Sequence, residues 1–211
     1  MTYAYDEEYL NDAMKNLGEA FDYAVNACNI DITAFADLFI SSGIADYFGN
    51  GHPKYVSGLS GTELVMEVAE KVKLHIDFAE PRPDYDYSIE YWCGWILAYY
   101  QWKSNKRFRD ILSKLSIEEI RKLYHPLHEA SEEKFVDIAD EIIRNKTFGT
   151  RLQKQRKLCG YSQKELSQKA GVNLRTLQQY EVGTKELNKA SISSVMSLAS
   201  ALGCKVEDIL D

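Results

Sequence analysis

Arg175, Gln178 and Gln179 are the side chains whose types and spacing carry a definite chemistry in this chain. A guanidinium presents a fork of donors that fits guanine O6 and N7, and a carboxamide pairs one donor and one acceptor with adenine N6 and N7. Groups of these types reach a DNA groove from a short helix whose other side is anchored. The flanking residues supply that frame. Ser162 and Glu165 have capping-box spacing, which satisfies exposed amides at a helix start. Gly171 stands where a first helix stops and the chain turns. Asn173 has the residue type that caps a second helix, Leu174 to about Glu181. Leu166, Ala170, Val172, Leu177 and Tyr180 form an apolar seam between the two helices, leaving Arg175, Gln178 and Gln179 outward. Two short helices joined by a tight turn place the second in the major groove of duplex DNA.

Net charge tests this reading. The whole chain carries −7, which opposes binding to a polyanion. Residues 147–211, however, hold ten Lys/Arg against six Asp/Glu, a net of +4, whereas residues 1–146 hold fifteen against twenty-six, a net of −11. The field that a phosphate meets is local, so a basic module on an acidic body is compatible with DNA. The acidic body is also a docking surface for a basic partner.

Other chemistry is sparse. His125 and His128 form an HxxH with Glu129 and Glu132 nearby, but Pro126 between them argues for a surface turn rather than a shared metal-binding face. His52 and His75 fall in loop-like sequence without a nucleophile partner, and Asp84 and Asp86 read as loop solvation. No HExxH, GxSxG or phosphate-binding glycine loop occurs. Cys28, Cys93, Cys159 and Cys204 lack zinc spacing and read as reduced, mostly buried thiols. The sequence therefore calls for no cofactor, no metal and no catalytic residue. The aromatic run Tyr91–Trp102 is too short for a membrane span, and the acidic start has no secretory character. A cytoplasmic location follows.

The elements all read as helices, so the expected class is all-α. Asp6–Cys28 is an amphipathic helix through Leu10, Met14, Leu17, Phe21 and Val25. Asp31–Ser42, Ile44–Phe48 and a Ser60/Glu63-capped helix to Leu74 follow, with a turn at Gly49–Pro53 and a surface loop at His75–Tyr87. Ser88–Lys103 carries Trp92, Trp95, Tyr99 and Trp102 along one side, a stripe that suits a core helix better than a ligand pocket. Phe108–Leu115, Ile117–Tyr124 (with Ser116/Glu119 at its start) and Glu132–Asn145 complete the series. The domain boundary falls at Lys146-Thr147, between an acidic helical domain, 1–146, and a carboxy-terminal domain, 147–211.

Residues 148–211 resemble the helix-turn-helix domain of the Cro/Xre regulators. Arg156, the segment GYSQKELSQKAGVNLRTLQQYE and the segment SISSVMSLASALGCKVEDIL carry the likeness. It implies a compact five-helix, lambda-repressor-like domain that binds double-stranded operator DNA as a homodimer. It implies that Leu174, Arg175 and Gln179 face bases, and that Gln163, Asn173, Thr176, Gln178 and Lys185 contact phosphate, Gln163 alternatively a flanking base. Arg156 and Glu181 match a buried structural salt bridge. Ile192, Val195, Leu198, Leu202 and Ile209 match core positions, and Gly203 the end of the fourth helix. Between Gly183 and Ser191 the chain has about three residues more than the commonest pattern of that family. Lys185 and Lys189 in this insertion either strengthen the phosphate contact or sit in a solvated loop.

The first 146 residues, through EYWCGWILAYYQW, are similar to helical regions of regulators in Gram-positive toxin–antitoxin operons. That likeness implies a toxin-binding role for the acidic domain. Three functions stay open on the sequence: a stand-alone ligand-responsive repressor, an autoregulating antitoxin, and an enzyme domain targeted to DNA.

Overall fold

The computed structural model describes residues 3–80 and 88–210, and these form helices and turns without a strand. The chain divides into two units, Met1–Ala139 and Asp140–Asp211. Residues 81–87, with Asp84 and Asp86 and most of the expected surface loop, lie outside the described residues.

In the first unit the α-helices are α1 (Leu10–Asp22), α2 (Ile32–Ser41), α3 (Ile44–Gly49), α4 (Gly61–Val72), α5 (Ile89–Ser104), α6 (Phe108–Leu112), α7 (Ile117–Lys122) and α8 (Tyr124–Leu127). Helix α9 (Glu132–Phe148) begins there and contains the division between Ala139 and Asp140. The Ser60/Glu63 and Ser116/Glu119 boxes form in both directions at the starts of α4 and α7. Each satisfies two otherwise orphaned amides and fixes where its helix begins.

Helix α5 is the centre of this unit. Trp92, Tyr99 and Trp102 are buried along with Cys93, Ile96, Leu97, Ala98 and Tyr100, so apolar residues cover nearly its whole circumference. A helix apolar all round must be enclosed by others. Its closest neighbour is α1. A Cβ at Gly94 would come within 2.3 Å of Leu17 O, so only glycine permits this backbone approach. The core continues through edge-to-face ring contacts, Phe21 on Phe35 and Phe39, Phe48 and Phe108 on one another. Such pairs each contribute about 0.5–1.5 kcal/mol beyond simple burial. Of the expected aromatic stripe, Trp92, Tyr99 and Trp102 are core and Trp95 is half-buried.

Local geometry departs from the sequence expectation in several places. The expected helix Asp6–Cys28 is a 3-10 turn at Glu7–Tyr9, then α1, then a π turn at Tyr23–Ala27. The widened turn accompanies a polar cluster: Asn26 donates to Asp22 (2.8 Å) and to Glu90 (3.4 Å), and Ser88 donates to Asp22. Glu90, nearly buried, pairs with Arg121 at 2.9 Å. A second π turn, Lys54–Gly58, follows the expected Gly49–Pro53 turn. The expected Phe108–Leu115 helix ends at Leu112. His125 and His128 stand on the short helix α8 and its cap rather than in a turn, because Pro126 falls in the first turn, where a missing amide costs nothing. His128 stacks on Tyr124 with ring centres 4.5 Å apart. Only Cys93 of the four thiols is buried; Cys28 and Cys204 are half-buried and Cys159 is exposed. The cysteines follow their helix ends and caps, not their apolar character.

The second unit contains α10 (Arg151–Leu158), α11 (Gln163–Ala170), α12 (Leu174–Val182) and α13 (Ile192–Leu202), with 3-10 turns at Leu187–Lys189 and Val206–Asp208. The last turn stands where a fifth helix is expected. Leu152, Leu166, Leu177, Tyr180, Val195, Leu198, Leu202 and Ile209 make one core. Ile192, expected among them, is instead 79% exposed. It is the first residue of α13, whereas Val195 and Leu198 further along the helix reach the core.

Candidate nucleic-acid interface

Helices α11 and α12 are joined by Gly171-Val172-Asn173. Gly171 ends α11 at φ 65°, a left-handed conformation that side chains with a Cβ resist. Asn173 then opens α12: its Oδ1 accepts from the amides of Arg175 (2.9 Å) and Thr176 (3.4 Å). At the other end of the motif Ser162 N donates to Glu165 at 2.7 Å, and Glu165 N returns a bond to Ser162 Oγ at 3.2 Å. The hydrogen bonds from the Ser162 backbone and hydroxyl hold the Glu165 carboxyl below its ordinary range. Leu166, Ala170, Leu177 and Tyr180 are buried between the helices, and Val172 packs against them.

Arg156 and Glu181 form a buried, two-pronged ion pair. Arg156 Nε lies 2.6 Å from Glu181 Oε1, and Nη2 lies 3.0 Å from Oε2. A further guanidinium nitrogen donates to Tyr161 O. This ties α10 to the last turn of α12 and to the chain entering α11. The pair continues outward in a way the sequence does not announce. Gln163 Nε2 donates to Glu181 Oε2 at 2.9 Å, and Gln178 Nε2 donates to Gln163 Oε1 at 3.4 Å. Arg156, Glu181, Gln163 and Gln178 are therefore one connected polar chain, running from the core to the exposed side of α12.

Leu174, Arg175 and Gln179 occupy the exposed side of α12, with Leu174 37% exposed. Among the described residues neither the Arg175 guanidinium nor the Gln179 carboxamide makes an internal hydrogen bond or ion pair. Gln178 beside them is committed to Gln163. Thr176 is half-buried under the first turn.

The inserted segment is anchored rather than loose. Leu187 is buried in the domain core, and the 3-10 turn Leu187–Lys189 is built around it. A single apolar residue in a polar run of this kind is a weak signal, visible only in hindsight of its contacts. Lys185 is held by its amide on Gln179 O (3.2 Å), and its ammonium lies over the Tyr180 ring at 5.4 Å. Lys189 pairs with Glu186 at 3.0 Å. Both ammonium groups remain at the surface, next to the end of α12.

Among the described residues no group of three or more His, Cys, Asp or Glu is arranged to hold a metal. No described helix is long and apolar enough to cross a membrane.

A family model described as helix-turn-helix, of the Cro/C1 type, matches residues 152–209. Comparison of the chain with curated proteins and with solved structures gives no match. The matched span runs from Leu152 on α10 to Ile209 after the last 3-10 turn, and so takes in the whole core described above. The carboxy-terminal unit is a helical DNA-binding domain of the kind found in transcription regulators.

Proposed function

We propose that this protein is a sequence-specific repressor that binds double-stranded operator DNA as a homodimer, with α12 in the major groove. The observation that carries the proposal is the division of labour on α12. Glu181 and Gln178 are hydrogen-bonded inside the domain, whereas Arg175 and Gln179 are exposed with their donors and acceptors unspent. Arg175 suits guanine, Gln179 suits adenine, and Leu174 adds an apolar contact to a thymine methyl. Gln163, Asn173, Thr176, Gln178, Lys185 and Lys189 fix position along the phosphates. A single such module binds weakly, so two half-sites about one helical turn apart are required.

Binding to a selected operator and its single-base variants tests this. Arg175→Ala is expected to cost about 1–3 kcal/mol and to relax preference at one base pair in each half-site. An equal loss on every variant would make Arg175 a phosphate contact and overturn its reading role.

The net charge of −11 on residues 1–146 favours one extension of this reading. The acidic domain would cover a basic partner, the toxin of an autoregulated pair. Co-expression with the neighbouring open reading frame decides it: no complex and no growth rescue would remove the antitoxin role and leave the repressor.

A further inference from the structure

Two cysteines from distant parts of the chain meet at one end of α13. Cys159 caps α10 and is exposed. Its thiol donates to Leu202 O, the last residue of α13, at 3.4 Å. Gly203 then turns the chain, and Cys204 N donates back to Ala199 O at 3.1 Å. The half-buried Cys204 thiol lies 3.8 Å from the same Ala199 oxygen. Both sulfurs are thus parked on carbonyls of the final turn of a single helix. Burial first, then Asp208 and then Cys159, hold the Cys204 thiol above its usual range. The remaining cysteines, Cys28 and Cys93, belong to the other unit, and Cys93 is buried there.

We propose that Cys159 and Cys204 are a reversible redox pair that closes into an intramolecular disulfide at the expense of a low-molecular-weight disulfide. The accessible Cys159 loses its proton and its thiolate attacks one sulfur of the oxidant, breaking that S–S bond and releasing one thiol. Cys204, deprotonated in turn, attacks the Cys159 sulfur, and the second small thiol leaves. Two protein thiols and one small disulfide become one protein disulfide and two small thiols, so protons and electrons balance. Cys159 follows the last turn of α10 on an exposed side chain, and closure requires the two sulfurs to meet at about 2.05 Å. The bond would staple the end of α10 to the end of α13. It also closes a long loop in the unfolded chain, which is where most disulfide stabilisation arises.

The full-length protein is incubated with oxidised glutathione at about pH 8, where ordinary thiols begin to ionise. Free thiols are then alkylated, and the digest is mapped by mass spectrometry. The wild type should yield a peptide linking Cys159 to Cys204, with a higher thermal midpoint than the reduced protein. Cys204→Ser should stop at glutathione on Cys159, and Cys159→Ser should acquire neither product on Cys204. Three results overturn the proposal: glutathione persisting on Cys159 of the wild type, a Cys159 bond between two chains, or no reaction. The wild-type map needs no variant, so a misfolded substitution cannot obscure the answer.

Discussion

Replacing Arg156 with alanine isolates the ion pair that orients α12. The Arg156 and Glu181 side chains are only 10% and 0% exposed, so water does little to screen them. Without Arg156, the Glu181 carboxylate stays inside the domain with the Gln163 amide as its remaining side-chain partner among the described residues. Breaking a buried pair in this way costs about 3–5 kcal/mol, because the surviving charge is uncompensated. A unit the size of Asp140–Asp211, at roughly 0.05–0.15 kcal/mol per residue, has about 4–11 kcal/mol to lose. The substitution therefore removes a large share of the stability of this unit, and its midpoint should fall by on the order of 20 °C. All three tryptophans precede residue 103, so their fluorescence follows the other unit. Hydrogen exchange of peptides from 150–210, read by mass spectrometry across a urea series, reports on this one. The double replacement Arg156→Met with Glu181→Leu leaves no orphan charge and should be less damaging than either single change. A cost below about 1 kcal/mol for Arg156→Ala would refute the reasoning, as would strictly additive singles in the double-mutant cycle.

Gly94→Ala should destabilise the first unit by at least about 1–3 kcal/mol, since its Cβ would collide with the α1 backbone at Leu17 rather than with a movable side chain; the urea midpoint of tryptophan fluorescence measures it. Asn173→Ala removes the acceptor for two α12 amides and should cost about 1 kcal/mol, seen as faster exchange at Arg175 and Thr176. Burial pushes the Cys93 thiol up to about 12. Its folded value thus exceeds the unfolded value of about 8.5, so its contribution is complete below that pH and is lost as pH rises from there toward 12. Urea denaturation across pH 8–11 should show that decline in the wild type and a shallower one in Cys93→Ala.

The parts of this fold that are legible in the sequence are those governed by neighbours in the chain. The Ser60/Glu63, Ser116/Glu119 and Ser162/Glu165 boxes, the Gly171 stop and the Asn173 cap each depend on a few adjacent residues, and each forms. The apolar stripe of α5 likewise declares itself by spacing. What escapes is decided across the chain. The π turn after α1 accompanies contacts to Ser88 and Glu90, more than sixty positions away. Leu187 is an anchor because the core of its unit receives it, and Ile192 is exposed because that core does not reach it. At the candidate interface, Arg175 and Gln179 are identifiable by type and position. The link from Gln163 to Glu181 is not, since a glutamine has equally good partners in water and in DNA until the fold supplies one.

The unspent side chains on α12 bear on how such a protein changes over time. The Arg175 and Gln179 side chains make no hydrogen bond or ion pair among the described residues, whereas Gln163, Gln178, Arg156 and Glu181 bind one another. Exchanging the first two should leave folding untouched and alter only the preferred sequence; exchanging any of the other four disturbs the mounting itself. Target preference and structural integrity are thereby written in separate residues. A duplicated copy could drift to a new site through one or two substitutions, without passing through an unfolded intermediate.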